Sequence, residues 1–209
     1  MTMTDRELET LHRHIDAAER YLEFGSGQST VYAASAANLL RVDSVESSEA
    51  YVRENLVGDP SIDAALASGK LTFHLIDLGE TVGWGFPRDV SKRDRWPEYS
   101  SAVFSRARDH DLVLVDGRFR VACALRSLLH TPDHALLLIH DFWIRPRYRP
   151  VLRFLDPIER ADSLAVFRRK GDLDKAALKR VIRRYERLPG DRPVKDRVRT
   201  LLRLGWRRR

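Results

Sequence analysis

Apolar positions along the chain fall into short runs set between longer stretches of helical period. Asp111–Val115 (DLVLV) and Ala135–Ile139 (ALLLI) are uninterrupted apolar runs of strand length, as expected for strands covered on both faces. Shorter runs end at Phe24, and at Val45 and Ile76 in Leu39–Val45 and Leu71–Ile76. Asp5–Ala18 carries Leu8, Leu11 and Ile15 on one helical stripe. Further helices are predicted over Gln28–Asn38, from the Ser47-Ser48-Glu49 cap to Leu56, and over Glu98–Arg108, Val121–Leu129 and Arg147–Leu155. Gly58-Asp59-Pro60 reads as a break, and Ile158–Ala161 with Ser163–Arg168 as a final strand pair. The irregular stretch Leu78–Pro97 is long for a compact domain, and its Trp84 and Trp96 suggest an ordered flap.

Alternating strands and helices imply right-handed crossovers. The expected fold is therefore an α/β, doubly wound, mostly parallel seven-stranded sheet with helices on both faces. Such sheets bind ligands beyond the carboxyl ends of their strands. Polar groups gather at that edge here: Glu23 and the Gly25-Ser26-Gly27 turn, then Glu46, Asp77, Asp116 and His140-Asp141. The turn between strand one and the Gln28 helix permits close approach of a ligand to the backbone. Glu46 lies 19 residues beyond Gly27, a spacing suited to accepting hydrogen bonds from a ribose. That spacing serves NAD and S-adenosylmethionine alike. Thr30 stands where a dinucleotide fingerprint has its third glycine, which weighs against a pyrophosphate.

Charge divides the 209 residues unevenly. Residues 145–209 hold 22 Lys+Arg and 8 Asp+Glu, a net of +14, whereas the preceding 144 residues hold 15 and 22, a net of −7. The expected organisation is a domain over 1–170 and a basic helical extension over 171–209. Asp174–Leu188 and Arg197–Arg209 mix arginine with leucine and suit nucleic-acid phosphates, an anionic membrane surface, or a solvated helix docked by its leucines. The single cysteine, Cys123, excludes an internal disulfide. No run of about 18 apolar residues suggests a membrane span. With a polar, acidic start to the chain, these features lead to a cytoplasmic expectation.

Glu23–Ser29 (EFGSGQS) resembles the ExGxGxG signature of class I S-adenosylmethionine-dependent methyltransferases, with Ser29 in place of the usual glycine. Val45-Glu46 resembles their acidic second motif and Asp111–Gly117 their fourth-strand motif. The VDGRFR segment, Val115–Arg120, is similar to that of a group of bacterial methyltransferase-like proteins. The resemblance spans roughly residues 18–170. It implies S-adenosylmethionine as cofactor, contacted by Glu23, Gly25, Ser26, Gly27, Ser29, Glu46 (ribose) and Asp77 (adenine). A side chain at Gly25 is expected to occupy ligand space.

For the acceptor side, Asp116 and Asp141 end central strands beside the expected methyl position, and His140 is a further candidate base. Some related O-methyltransferases hold a divalent cation on two such aspartates and an asparagine. Phe142 stands in the asparagine's place, and no metal is expected. Arg118 and Arg120 suit an anionic acceptor or an ion pair with Asp116 or Asp141. Trp84 and Trp96 suit a lid or packing over the sheet edge. The resulting expectation is methyl transfer to oxygen or nitrogen of a small-molecule acceptor. The alternatives are a non-catalytic nucleoside-binding module and an RNA-modifying enzyme.

Overall fold

The first five strands of the large sheet run parallel, as their apolar runs require. The structure is a computed structural model and describes residues 2–190, so Arg197–Arg209 lies outside the described residues. The parallel strands are β1 (Arg20–Phe24), β2 (Arg41–Glu46), β3 (Leu71–Leu75), β6 (Leu112–Val115) and β7 (Leu136–Ile139). The final pair, β8 (Leu155–Ala161) and β9 (Leu164–Arg169), closes one edge antiparallel. The strand order is β3-β2-β1-β6-β7-β9-β8. Order reverses between β1 and β6, so the chain leaves these two neighbours in opposite directions and opens a crevice between their ends.

One face is covered by α1 (Asp5–Asp16), α2 (Gln28–Ser35) and α4 (Pro60–Ala67), through Leu11, Ile15, Ala33, Ala34, Ile62 and Ala65. The other carries α5 (Trp96–Ser101), α6 (Arg120–Ser127) and α7 (Lys175–Tyr185). A short helix, α3 (Glu49–Asn55), follows β2 and is capped by Ser48 as expected. The expected break at Gly58-Asp59-Pro60 instead starts α4. Asp59 accepts from the N–H groups of Ser61 and Ile62, and Pro60 takes the first helical position, where its missing N–H costs nothing. The helix expected over Arg147–Leu155 is a 3₁₀ helix, Pro146–Arg153, with Pro150 inside it. Pro150 has no N–H to donate, so a regular α-helical ladder cannot run through it.

The long loop contains a hairpin of two-residue strands, β4 (Thr81–Val82) and β5 (Phe86–Pro87). In α7, Ala177, Leu178 and Ile182 are buried in the core beside α6, and Arg126 pairs with Glu186. Among the described residues, no helix is long and apolar enough to cross a membrane.

A buried polar cluster ties the far end of the sheet together. Asp43 on β2 is 3% exposed and accepts from Nε2 of His74 and of His110 at 2.7 Å each. Burial pushes its carboxyl up, but the two imidazole hydrogen bonds outweigh this and hold it far below the usual carboxylate range. Arg41 also pairs with Asp43, at 3.0 Å, and losing the carboxylate strands all three donors, so Asp43→Ala should cost about 3–5 kcal/mol near pH 7. Because the folded-state pKa lies below the unfolded one, Asp43's contribution is present above about pH 4 and is lost as the pH falls. The difference between parent and variant in urea unfolding should therefore shrink on acidification. A difference that stays constant into the acid range would contradict the assignment.

Candidate active site

At the switch point the turn after β1 and the turn after β6 touch through two glycines. Gly25 has φ +99°, and a Cβ there would lie 2.7 Å from Cα and N of Gly117. A Cβ on Gly117 would in turn strike the Tyr99 hydroxyl and lie 2.9 Å from N of Gly25 and O of Phe24. Gly25 is thus needed for the fold, because backbone fills the space beside it. This corrects the expectation that a side chain there would meet the ligand. Gly27 differs: a Cβ would meet only the Tyr51 hydroxyl, at 3.9 Å, and otherwise faces open space at the cleft.

Glu23 organises the turn from beneath. Its carboxylate is fully buried and accepts from the hydroxyls of Tyr21 (3.1 Å), Ser29 (2.6 Å), Ser44 (2.7 Å) and Thr30. Burial raises its pKa against these four donors. Ser26 joins the same network, its Oγ lying 2.6 Å from that of Ser44. The N–H groups of the turn are used internally: Gly25 donates to Val45 O, Ser26 to Glu46, and Gly27 to Thr30 Oγ1. The three N–H groups leading the turn are therefore not available to cradle a diphosphate.

Glu46 lines the cleft at the end of β2. Its Oε1 accepts from Ser47 N (2.6 Å), Ser47 Oγ (2.9 Å) and Ser48 N (3.3 Å), whereas Oε2 accepts only Ser26 N (3.2 Å) among the described residues. A carboxylate offers about four acceptor sites, two on each oxygen. Oε2 therefore has room for one strong external donor.

On the other side of the crevice, Arg120 bridges the two aspartates of the β6 and β7 ends. Its Nη2 lies 2.9 Å from Asp116 Oδ1, and its Nη1 lies 3.3 Å from Asp141 Oδ2. The same side chain donates to the carbonyls of Gly117 (3.1 Å) and Asp116 (2.7 Å) and is 7% exposed. Arg120 is thus a structural cation that serves as an ion-pair partner, with no free fork for an acceptor. Asp141 is 2% exposed and also accepts from Arg145 at 3.0 Å. Asp141 and Phe119 both hold left-handed backbone, at φ 61° and 53°, beside the site.

His140 is 1% exposed and is absent from the cleft wall. Its Nδ1 donates to Asp116 Oδ1 at 2.8 Å, and its Nε2 lies 3.4 Å from Glu7 Oε2. Burial lowers its pKa, but Asp116 and Asp141 outweigh this and raise it, favouring imidazolium. The buried His140 ring, set between carboxylates, positions Asp116 and stands behind the cleft wall. Asp116 itself lines the cleft with its side chain 32% exposed. Burial pushes its carboxyl up, while Arg120, His140 and Arg118 hold it below the usual range.

Two expected contacts fall elsewhere. Asp77 is exposed, paired with Lys92 and Arg95, and does not line the cleft. Trp96 is buried against Phe119, its Nε1 donating to Leu78 O, whereas Trp84 is 71% exposed and lines the cleft. Tyr51, Tyr148, Arg145 and Phe86 line the cleft without having been singled out by sequence. Glu7 was missed too. The Thr4-Asp5-Arg6-Glu7 capping box was its visible signal, but its bonds to Ser163 and Leu164 are long-range.

The cleft holds about 950 Å³. No family model matches the chain, and no curated protein matches it. Among solved structures, a methyltransferase-like protein from Silicibacter pomeroyi is 33% identical, with 91% of this chain and 97% of that one covered at a TM-score of 0.76. The chain belongs to the class I, Rossmann-like S-adenosylmethionine-dependent methyltransferase superfamily. A protein of the NADB-Rossmann superfamily from Streptococcus agalactiae, 12% identical over 86% of this chain and 74% of that one at a TM-score of 0.50, shares the fold. The methyltransferase cofactor fits the residues present: open space at Gly27, one free acceptor position on Glu46 Oε2, and a turn without a diphosphate cradle.

Proposed function

We propose that this methyltransferase transfers a methyl group to an oxygen or nitrogen of a small-molecule acceptor, with Asp116 taking the acceptor's proton. One observation supports this most: the Asp116 carboxylate is divided. Its Oδ1 is held by His140 and Arg120, and Oδ2 has no protein partner among the described residues while the group lines the same cleft as Gly27 and Glu46. S-adenosylmethionine supplies an electrophilic methyl group when bound. Gly27 and Glu46 would hold it on the β1–β2 side, and Asp116 and Arg118 would face the acceptor. The volume, near the upper end of the roughly 300–1,000 Å³ of small-molecule sites, suits two ligands side by side.

Asp116 is ionised at neutral pH, since its neighbours keep its pKa low. A weakly basic carboxylate takes a proton readily only as the attacking atom becomes acidic during bond formation. His140 and Arg120 fix the carboxylate's orientation for that step.

The reading is tested by incubating the chain with methyl-labelled S-adenosylmethionine and a panel of small hydroxylated and amino compounds. Label transfer to one acceptor is the expected result. Tight cofactor binding with no transfer to any acceptor would instead favour a binding module. Glu46 gives a separate check. One charge-assisted hydrogen bond contributes about 1.5–3 kcal/mol, so Glu46→Gln should weaken binding of S-adenosylhomocysteine by roughly ten- to a hundredfold. Calorimetry showing less than a twofold change would place the ribose elsewhere.

A further inference from the structure

Three arginines line the cleft, and they are not equivalent. Arg120 bridges Asp116 and Asp141, and Arg145 pairs with Asp141. Arg118 has no ion pair among the described residues, and its buried Nε has no hydrogen-bond partner. Its guanidinium instead lies over the Phe86 ring, 4.2 Å from the centroid, on the hairpin that forms one wall. Half-burying a cation without an ion-pair partner is costly, and a ring face compensates only in part. None of the cleft carboxylates forms an ion pair with Arg118 among the described residues: Asp116 and Asp141 pair with Arg120, and Glu46 accepts from Ser26, Ser47 and Ser48. A guanidinium also presents a planar fork of donors that matches an oxyanion.

We infer that Arg118 is the binding site for an oxyanion carried by the acceptor, a carboxylate, phosphate or sulfate group. Phe86 and Trp84 of the same hairpin line the cleft and offer apolar surface to the rest of such a molecule. The inference rests on the methyl-transfer reading for the word acceptor, but the anion site stands on Arg118 alone.

The test titrates the full chain with benzoate, inorganic phosphate and sulfate, with and without saturating S-adenosylhomocysteine, following binding by calorimetry. The parent should bind at least one of these saturably. Arg118→Gln should weaken that binding at least roughly tenfold, Arg118→Lys should retain part of it, and both should keep the parent affinity for S-adenosylhomocysteine. Tighter benzoate binding would identify a carboxylate acceptor, and tighter phosphate or sulfate binding a phosphorylated or sulfated one. Three results would overturn the inference: no saturable anion binding by the parent, unchanged binding by Arg118→Gln, or a parallel loss of S-adenosylhomocysteine affinity. The last would mean that Arg118 holds the cofactor's own carboxylate. If S-adenosylhomocysteine fails to bind the parent at all, the methyl-transfer reading falls while the titrations without it still decide the anion site. Circular dichroism of both variants checks that they fold.

Discussion

Asp116→Asn should lower methyl transfer by about 10²–10⁴-fold, the usual contribution of one positioned base, while leaving S-adenosylhomocysteine affinity within about twofold. Asparagine keeps the shape and can still accept from His140 and Arg120 through its carbonyl oxygen. What it loses is the charge and the ability to take a proton at the second position. The same change at Asp141 should act differently. Asp141 is nearly fully buried between Arg120 and Arg145, so its loss should appear first as reduced stability. Single-turnover rates and thermal unfolding of both variants separate these roles. If Asp116→Asn turns over at the parent rate, Asp116 is not the base.

The second large effect is expected at Gly27. Valine there should reduce S-adenosylhomocysteine affinity by more than about a hundredfold, because its methyls enter space that a ligand would share. The fold should survive, since Gly27 has an extended φ of 174° and a Cβ would meet only Tyr51. Gly25→Val is the contrasting control. Its Cβ would overlap the Gly117 backbone, so it should destabilise the chain by about 1–3 kcal/mol or more. Calorimetry and thermal unfolding on the two variants check the contrast. Equal loss of stability at both positions would contradict the division of roles.

These two glycines show how far the sequence could be read. The strand–turn–helix was legible because apolar runs, glycines and an acidic residue at fixed spacing are local features. Which glycine leaves space for a ligand was not, since Gly25 is constrained by Gly117, far along the chain. The arginines of the β6 turn repeat the lesson. Arg118 and Arg120 are two residues apart and read alike. Arg120 pairs with Asp116 and, across the fold, with Asp141 at the β7 end, whereas Arg118 has no ion pair among the described residues. Trp84 and Trp96 divided for a similar reason, because burial of Trp96 depends on Phe119 across the fold. Asp77 followed its strand as expected, yet Lys92 and Arg95 of the loop captured it. Helix α4 was missed locally: Asp59-Pro60 is a cap followed by a first-turn proline, which reads equally as a break.

The central claim is that this cleft is an S-adenosylmethionine site built on the Gly27 and Glu46 side of the crevice. It is tested most directly by titrating the purified full chain with S-adenosylhomocysteine in a calorimeter, then repeating the titration in the presence of S-adenosylmethionine. The account predicts saturable one-to-one binding that S-adenosylmethionine competes away and that Gly27→Val abolishes. Absence of binding at millimolar ligand, or binding that Gly27→Val leaves untouched, would contradict it.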